Sequence, residues 1–157
     1  MEAPLTNVLY RVLWDREEVR DVIQETFVKL WRRHDTLDWD RASSLAYKVA
    51  LDLASNRRRA RSLWRWVTLD ALRSRGELAR DAHAQLEDAQ EDARVRRAID
   101  ALPEAHRRVL MMCTHSGMDY AAIASTLGIA PGTVASRRHD AIARIQRSLE
   151  KESRHAG

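Results

Sequence analysis

Hydroxyls, guanidiniums and one imidazole crowd the short stretch that holds Thr133, Ser136, Arg137, Arg138, His139 and Arg144. Such groups donate hydrogen bonds to phosphate oxygens and to base edges. They do not make a nucleophile with its base, so the chemistry they offer is recognition of a polyanion. Bond-breaking chemistry has little support elsewhere. There is no phosphate-binding glycine loop. The six histidines are scattered, and Cys113, the single cysteine, has no second thiol with which to frame a metal site. Cys113 and His115 are close in sequence without forming a site, and Cys113 is expected to be a buried thiol. His106 and His139 are read as phosphate contacts or surface residues. No catalytic residue, metal or cofactor is expected.

The recognition groups need a scaffold, and the run DYAAIASTLGIAPGTVASRRHDAIARI, Asp119 to Ile145, supplies one. Ala124 is small enough for a second helix to cross close by. Gly128 takes a left-handed turn conformation cheaply. Ile123, Leu127, Ile129 and Val134 form a small core between the helices, and Pro131 suits the first turn of the next one. This is a helix-turn-helix, whose second helix enters the major groove by its N-terminal end. By itself the motif says only that the chain binds DNA. An ordinary helix pair with a glycine cap is the plainer reading.

Composition agrees with a helical, soluble chain. In 157 residues there are five glycines and three prolines, so turn residues are scarce. Hydrophobic residues make up 45% and charged residues 32%. The net charge of +4 and pI near 9.7 suit a polyanionic partner. No apolar run approaches the roughly 18 residues of a membrane span. Met1 to Asn7 has no leader-like pattern, and with the lone cysteine this points to the cytoplasm.

The fold class expected is all-α, with two small helical domains at 1–66 and 93–157 and a flexible linker at 67–92. In the first part Val19, Val22, Ile23, Phe27, Leu30 and Trp31 recur at helical spacing after a start near Asp15. Phe27 is assigned to the core; Trp31 is left open between core and contact. His34 to Ser44, with Asp35, Asp38, Trp39 and Asp40, reads as a loop. A helix follows from Ser43 or Ser44, with Leu45, Val49 and Leu53 on one face. It ends in Arg57, Arg58, Arg59, Arg61 and Arg65. Trp64 and Trp66 flank Arg65 and either cover the end of this domain or seat a partner. The linker carries Glu77, Asp81, Glu87, Asp88, Glu91 and Asp92, and reads as a solvated tether or a cover for a basic surface of its own chain. In the last part Val95, Ile99 and Leu102 form a helix stopped near Pro103. Val109, Leu110 and Met112 form another, ending near Gly117.

Two segments together resemble the extracytoplasmic-function (ECF) sigma factors of the sigma-70 family. One is VRDVIQETFVKLWRR (Val19 to Arg33) with SSLAYKVALDLASNRRR (Ser43 to Arg59). The other is ALPEAHRRVLMM (Ala101 to Met112) with the helix-turn-helix. The resemblance implies sigma-2-like and sigma-4-like domains, core RNA polymerase and promoter DNA as partners, and an anti-sigma factor as regulator. It implies that Asp21, Gln24, Glu25 and Trp31 bind core polymerase. It places Trp39, Lys48, Asp52, Arg57, Arg58, Arg59 and Arg61 at the melted minus-ten element, by stacking and phosphate neutralisation. It places Thr133, Ser136, Arg137, Arg138, His139 and Arg144 at the duplex minus-thirty-five element.

The chain departs from the family pattern in four side chains. Leu45 stands where Trp is frequent, Asp52 where Asn is frequent, Ala135 for a common Lys and Asp140 for a common basic residue. Val8 to Trp14 reads as only the last turns of the family's leading helix. A monomer is expected when free, able to close its first domain against its second. A stand-alone helix-turn-helix regulator and a degenerate sigma acting as competitor or titrator are the alternative readings. Without the resemblance, an arginine run is equally a solvated helix end, and Asp21 and Glu25 a solvated face.

Overall fold

The computed structural model describes residues 2–72 and 86–155, with side chains over 2–65 and 90–155. Among these described residues all regular structure is helical. The helices are α1 (Glu2–Leu13), α2 (Arg16–Trp31), α3 (Ala42–Leu72), α4 (Leu86–Asp100), α5 (Glu104–His115), α6 (Tyr120–Leu127) and α7 (Pro131–His155). Two 3-10 turns, His34–Thr36 and Trp39–Arg41, occupy the expected loop.

The leading helix is longer than the sequence suggested. α1 starts at Glu2 and places Leu5, Val8, Leu9, Val12 and Leu13 in the core, at the steps of three and four that define one apolar face. Trp14 ends it with a left-handed φ of 57°, costly for a bulky residue. One local and one long-range contact hold that conformation. The Trp14 amide donates to the Tyr10 carbonyl at 2.7 Å, and its indole Nε1 donates to Asp100 Oδ1 at 3.0 Å. Asp15 then caps α2, accepting from the amides of Glu17 and Glu18 at 2.8 and 3.0 Å. Those bonds, Glu18's first, hold its carboxyl below the ordinary value.

Phe27 is not a core residue: it is 41% exposed, while Val19, Val22, Thr26 and Leu30 carry the buried face of α2. On α3 the fully buried positions are Ala46, Tyr47, Ala50, Leu51 and Ala54. Leu45, Val49 and Leu53 form a half-buried strip beside them. Both ends of the expected linker are helical, since α3 runs on to Leu72 and α4 begins at Leu86. Glu77 and Asp81, and the side chains of Trp66, Glu87 and Asp88, lie outside the described residues.

The helix-turn-helix is as expected. Asp119 caps α6 by accepting from the Ala122 amide at 2.7 Å. Gly128 has φ 68° and donates to the Ala124 carbonyl. Ile123, Ala124 and Val134 are buried between α6 and α7.

The two halves pack together. α1 touches α5 as well as α2 and α3, and α6 touches α3. One apolar cluster runs from Leu5 and Leu51 through Leu110 and Met112 to Ile123.

Candidate functional site

On α2, Asp21 and Gln24 are exposed and Glu25 is half-buried. Asp21 and Glu25 are tied to Arg57 of α3: Nη1 lies 3.7 Å from Asp21 Oδ2 and Nη2 3.4 Å from Glu25 Oε2. Lys29 adds a contact of 3.1 Å to Glu25, and its hydrogen bond is the main reason that the Glu25 carboxyl sits below its ordinary range. Polymerase-directed and DNA-directed groups of the sequence reading are thus neighbours. Beside them Trp31 is 70% exposed and Trp39 68% exposed. With Phe27, Val28, Leu37 and Leu30 they line an almost wholly apolar groove of about 620 Å³. Trp31 stacks on His34 with ring centres 5.1 Å apart and planes 14° apart. Exposed aromatic surface of this extent is what a partner-binding face requires.

The arginine run divides by direction. Arg58 and Arg61 turn inward and serve the end of α1. Arg58 Nη1 donates to the Val12 carbonyl at 2.8 Å and Arg61 Nη1 to the Leu13 carbonyl at 3.2 Å, groups a helix end leaves unpaired. Arg61 also pairs with Glu18, and Arg58 with Asp100 at 2.9 Å. Arg59 reaches Glu104 at 3.0 Å. Lys48 is exposed. Asp52 pairs with Arg108 of α5 at 2.9 Å. The departure that would have repelled DNA therefore has a cation of its own.

The sequence reading missed Arg107 and Arg108. Arg107 is buried and donates to the carbonyls of Asp100 and Leu102 at 2.8 and 3.2 Å, closing the end of α4. Burial, then the charge of Arg58, pushes its pKa down to about 10. Arg108 bonds Ser55 Oγ at 2.8 Å and the Leu51 carbonyl at 3.1 Å. Glu104 completes this junction. Burial raises its pKa, but bonds from Arg59 and Ser55 and the charge of Arg108 outweigh that and leave it lowered. A second missed set is Lys29, Arg32 and Arg33, which line a groove of about 430 Å³ with Leu45, Val49 and Asp52. The strip Leu45, Val49 and Leu53 was legible as one face of α3, but not that Lys29, Arg32 and Arg33 would lie beside it.

On α7, Ser136, Arg138, His139 and Arg144 are exposed and Thr133 and Arg137 half-buried. At about 100° per residue Thr133, Arg137, Asp140 and Arg144 share one stripe, while Arg138 stands about 140° round from Thr133. There it lines a cleft with Ile142 and Ile145. Asp140 lies 3.8 Å from His106 Nε2.

The chain matches the sigma-70 region 2 family model over residues 2–65 and the sigma-70 region 4 model over residues 92–145. It is 30% identical to the ECF RNA polymerase sigma-E factor of Salmonella typhimurium, over 76% of this chain and 68% of that one. The chain belongs to the ECF sigma factors of the sigma-70 family. The ECF RNA polymerase sigma factor SigL of Mycobacterium tuberculosis is 29% identical to it, over 96% of this chain and 92% of SigL. The sigma factor RpoE of Bartonella quintana, solved in complex with the anti-sigma factor NepR, has the same fold. The two superpose with a TM-score of 0.58 at 22% identity, covering 93% of this sigma factor and 89% of RpoE. In this sigma factor region 2 comprises α1, α2 and most of α3. Region 4 holds the C-terminal part of α4, then α5, α6 and the first part of α7. No helix among the described residues is long and apolar enough to cross a membrane.

Proposed function

We propose that this sigma factor binds core RNA polymerase in the cytoplasm and directs it to promoters, without catalysing a reaction itself. The domain division is 1–66 and 93–157. The observation that carries the reading is that one chain holds both regions in order, with an exposed aromatic groove on the first and a capped helix-turn-helix in the second. Trp31, with Asp21, Gln24 and Glu25, docks on polymerase. Trp39 and Lys48, with Asp52 and the arginines 57 and 59, face the minus-ten strand, while Arg58 and Arg61 hold the end of α1. Thr133, Ser136, Arg137, Arg138, His139 and Arg144 serve the minus-thirty-five duplex.

The closed arrangement bears on this reading. Asp52 and Arg59 are engaged by region 4, so they become available to DNA when the halves part. An anti-sigma factor that holds the halves together would keep them occupied, and the complex of RpoE with NepR supports control of that kind.

Transcription with purified core polymerase on the promoter upstream of this sigma factor's own gene tests the proposal. A correctly initiated transcript that depends on the added chain is expected. If it binds duplex DNA and fails to bind core polymerase, the stand-alone regulator replaces this reading.

A further inference from the structure

A cleft of about 370 Å³ opens where α1 meets α5 and α7. Its floor is apolar, made by Leu110, Ile142 and Ile145, and its rim carries Arg11, Arg138 and His115. Among the described residues no carboxylate lines it, and neither Arg11 nor Arg138 has an ion-pair partner. Other arginines, Arg20, Arg137 and Arg144 among them, also have no ion pair among the described residues, so what marks this cleft is that two such cations share one apolar floor. Arg57, Arg58, Arg59, Arg61, Arg94, Arg97 and Arg108 all have acidic partners. Here positive charge gathers over an apolar floor without an acid to balance it. His115 feels that field: burial first, then the charge of Arg11, lowers its affinity for a proton.

We propose that this cleft binds a small amphipathic anion, with a carboxylate or phosphate monoester head between Arg11 and Arg138 and an alkyl tail on the apolar floor. Guanidinium groups hold such heads by charge-assisted hydrogen bonds. The volume is near the lower end of small-molecule sites, roughly 300–1,000 Å³, and suits a ligand of modest size. Arg11 belongs to the first half and the other lining residues to the second, so the cleft exists only while the halves are closed. A ligand that binds there stabilises the closed form by mass action. It also occupies Arg138, one of the groups assigned to promoter DNA.

Calorimetric titration of the full chain, with neither polymerase nor DNA, tests this independently of any transcriptional role. The probes are octanoate and octyl phosphate, with 1-octanol as the neutral control. Saturable one-to-one binding of at least one anion is expected, weakened about tenfold by Arg11→Gln or Arg138→Gln, as loss of one charge-assisted contact predicts. The tighter anion identifies the head group. Both arginines are exposed, and circular dichroism checks that the variants keep their helices. Absence of saturable binding by both anions, equal binding of octanol, or undiminished binding by both variants would each overturn the proposal.

Discussion

Arg108 on α5 donates from Nη1 to Oδ1 of Asp52 on α3 at 2.9 Å, across the boundary between the two sigma regions. The same guanidinium reaches the Leu51 carbonyl and Ser55, so one side chain gathers three groups of the opposite half. Arg108→Ala leaves the buried Ser55 without that donor and should reduce closure by about 1–3 kcal/mol. Small-angle scattering should then report a larger radius of gyration. An unchanged radius at low and high salt would mean that this contact does not hold the halves together.

Asp52 is 53% exposed in its side chain, so its own share is smaller. Asp52→Asn should lower closure by about 1 kcal/mol or less. If Asp52 also repels promoter DNA, the same variant gains affinity for single-stranded minus-ten oligonucleotides. Loss of affinity in Asp52→Asn would assign the carboxylate a direct role in base recognition.

Much of the helix-turn-helix was legible because its devices are local. Gly128 turns, and Val134 fills the space beside Ala124. Asp15 as the start of α2 was legible for the same reason. Contacts between distant segments were not. Nothing in the run Arg57 to Arg61 tells which guanidinium turns to Val12 and Leu13 and which to Glu104. Phe27 fits the helical period as well as Val22 does, yet the loop after α2 leaves it uncovered. The full extent of α1 was not read, although Pro4 sits in the first turn, where a missing amide is harmless.

The exposed tryptophans separate binding from stability. Trp31→Ala should change the unfolding free energy by no more than about 0.5 kcal/mol, as for other surface positions. Its affinity for core polymerase should fall by about 2 kcal/mol or more, as at aromatic hot spots. Pull-down with core polymerase beside thermal unfolding checks both. A large stability loss with unchanged polymerase binding would assign Trp31 a structural task.

Arg137 and Arg144 lie on one stripe of α7. Replacing either by Ala should weaken duplex binding and reduce the salt slope of affinity by about one. Titrations at several salt concentrations measure it. A slope that stays constant would remove them from the phosphate contacts.

His115 gives a pH signature. Its folded pKa lies below the ordinary 6.5, with burial the larger cause and Arg11 the lesser. A base with a depressed pKa contributes stability above its unfolded pKa and loses it as pH falls through the folded value. Thermal stability should therefore drop on acidification below 6.5, and His115→Gln should show a smaller drop. The lowered carboxyls Glu25 and Glu104 start from 4.5, so they respond in a more acidic range. Equal pH dependence in both proteins would show that His115 does not contribute.

Arg107 closes α4 from α5. Arg107→Met keeps much of the bulk but leaves the Asp100 and Leu102 carbonyls without their donor, which should cost about 1–3 kcal/mol. Chemical denaturation measures the loss.

α1 is packed by α2 and α3 on its own side and by α5 from the other half. Parting the halves therefore uncovers hydrocarbon as well as breaking ion pairs. Newly wetted apolar surface raises heat capacity, and apolar association weakens in the cold. Cooling and added salt thus loosen this molecule by different routes, the one through water around α1 and the other through screening of its charges. The balance between open and closed forms is a property of temperature as much as of any partner.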